Sequence, residues 1–188
     1  MQRTNPSLTP TLRSARLLLR APTEADAPAL LEISYYDGVR AQDGAEVLDM
    51  LQKIGADVSR GESLHWLICL QDSGEVAGTC GFYRGYPENT GELGYLLKAA
   101  YRGQGYMSKA LRAVIAYGFG TMRLERLVAY TAADNRASVG VLKRLSFEQV
   151  ELMGTKTGEA AADTLLTFAL SAQQVRAQRA GLEGDPGS

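Results

Sequence analysis

Residues 101–110 read YRGQGYMSKA, with Gly103 and Gly105 one residue apart at the head of a helical pattern. Gly costs roughly 1 kcal/mol relative to Ala inside a helix, so two of them here point to something that approaches the backbone closely. A glycine-rich turn entering a helix presents unpaired N–H groups and the positive end of the helix dipole, which together make an anion site. Three phosphate-binding patterns compete for the stretch. A Walker loop, G-x-x-x-x-G-K-[ST], fails because Lys109 follows Ser108 in the wrong frame. A dinucleotide fingerprint, G-x-G-x-x-G, meets Ser108 at its third glycine. Glu125 stands at the distance of a ribose-binding acid, but it precedes RLVAY instead of ending a strand. The third pattern, [RQ]-x-x-G-x-[GA], is met by Arg102-Gly103-Gln104-Gly105-Tyr106-Met107 up to its last position.

Outward from this loop, periodicity predicts a strand at 90–98, TGELGYLLK, interrupted by Gly94. The helix after the loop, GYMSKALRAVIAYG, carries Met107, Leu111, Val114, Ile115 and Gly118 on one face. RLVAYTA (126–132) reads as a strand and NRASVGVLKRL (135–145) as a helix, with closing strands at 147–153 and 161–170. Upstream, a strand over 12–22 ends at Pro22, and Thr23 caps a helix over 23–34 with Glu24 and Asp26 in its first turn. A second helix is predicted over 45–58, and strands 64–71 and 75–85 are joined by Asp-Ser-Gly. Tyr35, Tyr36 and Asp37 fall in a loop between the first two helices. The tail beyond 170 loses periodicity and ends in Gly, Pro and Ser, which predicts fraying over 171–188 after a single domain at 1–170. Early hairpins followed by a β-α-β-α segment predict a mixed α+β sheet rather than a doubly wound parallel one.

Composition narrows the function classes. The 188 residues are 45% hydrophobic and 22% charged with formal net charge −1, so nothing predicts attraction to nucleic acid or an anionic membrane. No apolar run approaches the roughly 20 residues that span a bilayer, and the N-terminus lacks an apolar signal core, so a cytoplasmic location is expected. Cys69 and Cys80 sit inside apolar strand-like runs and read as buried free thiols. No Cys, His, Asp and Glu set has metal-ligand spacing, so no metal is expected. His65, the one histidine, sits at a strand start and reads as structural or exposed.

The stretch GELGYLLKAAYRGQGYMSKAL (91–111), with DNRASVGVLKRLSF (134–147) downstream, resembles the GCN5-related N-acetyltransferases, GNAT. It is similar in particular to their ribosomal-protein N-terminal acetyltransferase-like branch of RimJ/RimL type. The opening LRSARLLLRAPTEADAPALLEI (12–33) also resembles that branch. The resemblance covers roughly residues 11–170. Met107 departs from it where the family has Gly or Ala, and Ser146 departs where the family has the Gly of K-x-G-F. Lys109 replaces an acid. Met107, on the apolar face of its helix, is expected to pack into the core, and Ser146 to strain its turn if its φ is positive.

The resemblance implies a twisted, mostly antiparallel sheet of about seven strands, flanked by helices, with two parallel central strands splayed apart. It implies acetyl-CoA as cosubstrate, its pyrophosphate cradled by the N–H groups of Gly103, Gln104, Gly105, Tyr106, Met107 and Ser108, with Arg102 opening the loop. The splayed strands are then 90–98 and 126–132, with Gly94 at a β-bulge and the N–H groups near Tyr95, Leu96 and Leu97 turned to the thioester carbonyl. Glu92 is the implied base for the acceptor amine, which is protonated near neutral pH. Ser138 is the implied relay to the departing thiolate, and Asn135 the implied partner of the pantetheine arm. The implied reaction is direct attack by a bound primary amine of a protein N-terminus in a ternary complex. The alternatives are a small amine (polyamine, amino sugar or amino acid) or a CoA-binding module without turnover. A monomer and a homodimer both fit.

Overall fold

The computed structural model describes residues 9–150 and 165–183. Along the chain come β1 (Leu12–Arg13), β2 (Leu17–Arg20), a 3-10 turn (Glu24–Asp26), α1 (Ala27–Leu30), β3 (Tyr35–Tyr36), β4 (Val39–Arg40), α2 (Gly44–Ser59), β5 (Leu64–Leu70) and β6 (Val76–Tyr83). Then follow β7 (Thr90–Leu97), α3 (Tyr106–Gly120), β8 (Arg126–Ala132), α4 (Arg136–Arg144), β9 (Glu148–Val150), β10 (Leu165–Ser171) and α5 (Ala172–Glu183). Eight strands form one sheet in the order β1-β2-β5-β6-β7-β8-β10-β9, and β3 pairs with β4 apart from it. Every neighbouring pair in the large sheet is antiparallel except β7 and β8. The mixed, mostly antiparallel architecture is the expected one.

Period-2 alternation gives the sheet two apolar faces. Leu17, Leu19, Leu64, Trp66, Ile68, Cys80, Phe82 and Leu93 bury on one face against Met107, Leu111, Val114 and Ile115 of α3. Leu67, Cys69 and Val76 bury on the other against Leu30, Ile33, Val47 and Met50 from α1, α2 and the segment after α1. Each such large aliphatic side chain contributes about 1.5–3 kcal/mol by leaving water. The two cysteines are buried and free.

Several boundaries differ from the sequence expectation, each for a local reason. The strand over 12–22 is two strands, because the chain reverses after Arg13 and pairs Leu12 with Leu19. The helix over 23–34 is only the 3-10 turn and one helical turn. Asp26 reaches back to accept hydrogen bonds from the Thr23 N–H and hydroxyl, each at 2.8 Å. The loop at 35–37 is a tight hairpin, with Asp37 at φ 49° and Gly38 at φ 82° between β3 and β4. Both central residues are left-handed, the geometry that Asp-Gly favours in two-residue hairpins. Residues 172–183, expected to fray, are α5. Of the closing strands, 151–153 and 161–164 lie outside the described residues.

Arg20 donates two hydrogen bonds to Asp26, at 2.8 and 2.6 Å, and this holds the Asp26 carboxyl down at about 2, well below its ordinary 3.8. A depressed carboxylate contributes stability that is complete above the unfolded value and is lost as pH falls toward the folded one. Asp26→Asn is therefore expected to lower the unfolding free energy at pH 7 by about 2 kcal/mol. Urea titrations should show that difference closing between about pH 4 and pH 2. Ser146, which follows α4, lies at φ 64°, a left-handed conformation costing roughly 1–2 kcal/mol without glycine. Ser146→Gly is expected to add about 0.5–1 kcal/mol after the loosened unfolded chain offsets part of the gain. Thermal melting should show the midpoint rising by about 2 °C.

Candidate active site

One face of β5, β6 and β7 is arranged in rows by strand register. Leu64 pairs with Phe82, which sets Ser63 against Tyr83, and Tyr83 pairs with Glu92. The next row is His65, Gly81 and Gly94, and the one after is Leu67, Thr79 and Leu96. The two glycines leave a hollow that the Tyr83 ring fills: a Cβ on Gly94 would lie 2.7 Å from Tyr83 Cε2, and one on Gly81 3.1 Å from the Tyr83 hydroxyl. The register of β6 and β7 runs from Gly78–Leu97 to Tyr83–Glu92 without a shift. The bulge expected at Gly94 is therefore absent. Of the two uses of a strand glycine, close approach of a neighbour operates here.

Above this face lies a cavity of about 770 Å³, roofed by the β3–β4 hairpin, α1 and α2. His65 forms part of its floor, is 6% exposed, and shares a 3.0 Å hydrogen bond between its Nδ1 and the Tyr83 hydroxyl. Burial lowers the His65 pKa to about 4 and raises that of Tyr83, so both are uncharged at neutral pH. Of the two expectations for His65, structural or exposed, exposure is excluded: the ring is buried, hydrogen-bonded to Tyr83 and part of the cavity lining. At the mouth, the Glu92 carboxylate is ion-paired with Arg84, whose other terminal nitrogen reaches Asp37 at 2.8 Å. Arg84 and Gly85, like Asp37 and Gly38, are both left-handed, so two tight turns meet over Glu92. These carboxylates raise the Arg84 pKa, first through the Asp37 hydrogen bond.

On its other side, β7 pairs in parallel with β8 only over Thr90–Glu92 and Arg126–Val128. Beyond those residues the strands separate while β8 continues against β10. The Lys98 N–H donates to the Ala77 carbonyl at 2.9 Å. Antiparallel alternation then turns the N–H groups of Leu96, Gly94 and Glu92 to β6, and those of Leu93, Tyr95 and Leu97 to the opening. Leu96, expected among the donors, is thereby committed to the sheet. The opening is flanked by the half-buried Tyr95, whose hydroxyl lies 2.8 Å from Ser138 Oγ on α4. Burial raises the Tyr95 pKa, with the Ser138 hydrogen bond opposing. Asn135 caps α4 by accepting from the Ser138 N–H at 3.1 Å, so one residue orients the other.

The loop between β7 and α3 carries Gly103 at φ 74° and Gly105 at φ 76°, and a Cβ built on either meets nothing within 4 Å. Gly105 is the left-handed N-cap of α3 and no side chain caps it, so the first-turn N–H groups have no side-chain partner. That is the arrangement a pyrophosphate fits. Arg102 Nε donates to the Leu97 carbonyl at 3.3 Å, and Gln104 Nε2 donates to the Ala100 carbonyl at 3.0 Å. Met107 and Ser108 are buried, with Met107 in the core on the apolar face of α3. The Tyr106 side chain is also drawn inward, where its hydroxyl accepts from Arg16 at 2.9 Å. For Tyr106 and Met107, whose side chains pack inward, the main chain is what borders the loop's concavity.

Glu92 and Tyr95 both border the cavity, but the Tyr95 side chain packs with the α3-side core on the opposite face of β7, where it contacts Ser138, which Asn135 orients. Reading along the sequence did not find Arg84, Ser63 or the Tyr83–His65 pair, since strand register alone brings them together. For the hairpin the signal was present in Asp37-Gly38. Among the described residues no group of three or more His, Cys, Asp or Glu side chains could hold a metal ion. No described helix is long and apolar enough to cross a membrane.

Residues 16–148 match the family described as Acetyltransferase (GNAT) domain. The uncharacterized N-acetyltransferase p20 of Bacillus licheniformis is 32% identical over 76% of this chain and 85% of its own length. For the uncharacterized N-acetyltransferase YoaA of Bacillus subtilis the identity is 29%, over 74% and 84%. Among solved structures, the ribosomal L7/L12 α-N-protein acetyltransferase RimL in complex with coenzyme A superposes with TM-score 0.74 at 26% identity, covering 88% of this chain and 99% of that one. A putative ribosomal-protein-serine acetyltransferase from Vibrio cholerae has the same fold, with TM-score 0.72 at 21% identity, over 86% of this chain and 97% of that one.

Proposed function

The chain belongs to the GNAT acetyltransferase domain family and is an N-acetyltransferase; from that premise we propose that it acetylates the primary amine of a protein N-terminus by direct attack on acetyl-CoA. The observation that carries the mechanism is a carboxylate, Glu92, in the cavity on one face of β7 and a hydroxyl pair, Tyr95 with Ser138, on the other, with the β7–β8 opening beside both. The likeness to RimL, whose name gives an α-N-protein substrate and whose structure contains coenzyme A, supports both the acceptor and the cosubstrate.

When bound, acetyl-CoA supplies the thioester. The main chain of residues 103–108 holds its pyrophosphate, with Arg102 at the loop's start, and the Asn135 side-chain amide bonds the pantetheine arm. The N–H groups of Tyr95 and Leu97 face the opening, where negative charge on the thioester oxygen would develop. Glu92 takes the proton from the acceptor ammonium, which leaves the nitrogen lone pair for attack. Arg84 holds that carboxylate until the ammonium competes for it. Ser138 Oγ gives its proton to the departing sulfur. The Tyr95 phenol, kept protonated by burial, replenishes it across their 2.8 Å contact and is itself reprotonated by the second proton that the attacking nitrogen sheds as the C–S bond breaks.

A thiol-release screen tests this reading. Peptides with free N-termini, the same peptides N-acetylated, polyamines, amino sugars and amino acids are offered with acetyl-CoA. Release with free N-termini alone is expected. Release confined to small amines replaces the protein acceptor by a metabolite. Release with none of them, alongside tight acetyl-CoA binding, leaves a binding module.

A further inference from the structure

Arg84 divides its guanidinium between two carboxylates. One terminal nitrogen donates to Asp37 at 2.8 Å and the other to Glu92. A guanidinium fork often takes both oxygens of one carboxylate. Here each carboxylate receives a single nitrogen, and the three groups together keep one uncompensated negative charge. Asp37 lies at the tip of the β3–β4 hairpin and Arg84 in the turn after β6, at φ 49° and 60°. Non-glycine residues held in that region are strained, and they persist where the surrounding structure fixes them. The Arg84 turn is fixed by the Gly85 N–H, which donates to the Glu62 carbonyl at 2.7 Å. The hairpin has fastenings of its own. The Tyr36 hydroxyl donates to Asp57 at 3.0 Å, and the Ala41 N–H to the Ser34 carbonyl at 3.0 Å. Asp57 and Glu62, the other carboxylates of the cavity lining, are both paired with Arg60.

We propose that Asp37 is a positioning residue for the acceptor: it receives the Arg84 guanidinium when the acceptor ammonium takes the place of Arg84 on Glu92. Two cations about 4 Å apart on one carboxylate repel, more strongly where water is excluded. With Asp37 present, the site passes from one negative charge to none as the ammonium binds. Without that carboxylate it passes from none to one positive charge, and Arg84 has Glu92 as its partner in both states. The side chains of Arg84 and Asp37 are 59% and 72% exposed, so the guanidinium moves fully onto Asp37 without repacking the core. A hairpin tip that never touches the reacting atoms thereby sets how readily an amine reaches the base. The proposal rests on the amine-acceptor reading above and adds a residue to it.

The test measures kcat and the acceptor KM at saturating acetyl-CoA for the wild type, Asp37→Asn, Asp37→Glu, Arg84→Gln and the Asp37→Asn/Arg84→Gln double variant. The probes are a tetrapeptide with a free N-terminus, spermidine, glucosamine and alanine, one for each acceptor class of the thiol-release screen. Asp37→Asn is expected to raise KM about five-fold, the upper worth of an exposed ion pair, with kcat within about two-fold of the wild type. Asp37→Glu, which keeps the carboxylate, should bring KM back near the wild-type value. Arg84→Gln should lower KM by about two- to five-fold, because it removes the competing cation. In that background Asp37→Asn should change KM by less than about two-fold, since its effect passes through Arg84. A contact that only holds the fold gives the opposite sign for one variant: breaking it from either side raises KM. That pattern would overturn the proposal, as would an unchanged KM in Asp37→Asn, an equal rise in both backgrounds, or a fall in kcat with KM unchanged. Turnover of a small amine and not of the peptide removes the protein acceptor while the comparison among the variants stands. Turnover of none of the four probes removes the acetyl-transfer reading and the role of Asp37 with it.

Discussion

Glu92→Gln is expected to lower kcat at pH 7 by about 10²–10⁴-fold, the range over which a positioned base contributes. Glutamine keeps the shape of the side chain and removes both its charge and its capacity to take a proton. The loss should shrink as pH rises, because an α-amino group titrates near pH 8 and alkaline solution supplies the free amine that Glu92 would otherwise generate. The sign is specific: the variant's rate should follow the deprotonated fraction of the acceptor, while the wild type rises less steeply. Since the same substitution breaks the ion pair with Arg84, Arg84→Gln is the necessary companion. It breaks that pair and the one with Asp37 while retaining the carboxylate. The pairs lie at a surface where each is worth about 1 kcal/mol or less, so this variant should keep the wild-type form of the pH profile. Equal profiles for Glu92→Gln and the wild type would remove the base assignment.

Gly105→Glu is expected to weaken coenzyme A binding by at least about 100-fold, equivalent to roughly 2.7 kcal/mol. Gly105 sits at φ 76°, so any side chain there carries a left-handed strain of about 1–2 kcal/mol. A glutamate adds a negative charge at the helix N-terminus, where it occupies the place of a phosphate. Isothermal calorimetry reads the effect directly. Gly120→Glu, at the far end of the same helix where a Cβ also meets open space, is the control for charge added to α3. Retained heat in Gly105→Glu would show that the cofactor's phosphates lie elsewhere.

Much of the frame was legible because it depends on local chemistry. The Gly103–Gly105 loop, the apolar stripe of α3, β8 and α4 lie where periodicity put them, and Met107 packs inward as its helical face required. What could not be read were contacts between residues far apart in sequence. Arg84 and Asp37 are brought together across 47 positions, and Tyr95 and Ser138 across 43. No window along the chain contains either pair. Gly94 shows a subtler limit. A glycine in a strand signals a bulge or a crowded face equally well, and the Tyr83 ring that decides between them comes from the neighbouring strand. The split between β7 and β8 was an implication of resemblance; the three paired positions before it opens are a property of the folded chain.

Those three positions bear on how the molecule holds together as well as on what it binds. Main-chain hydrogen bonds join the β1–β7 side of the sheet to the β8–β10 side through that short parallel run, reinforced by the Glu125 N–H on the Asn89 carbonyl at 2.9 Å. In main-chain bonding alone the sheet is thus two panels on a narrow hinge, while one apolar core, with Leu127 and Phe168 from one side and Trp66 and Phe82 from the other, spans both. A ligand that bonds to β7 within the opening and reaches α4 beyond β8 would work as a second hinge pin. Amide hydrogen exchange would register this as two separately opening units merging into one cooperative unit.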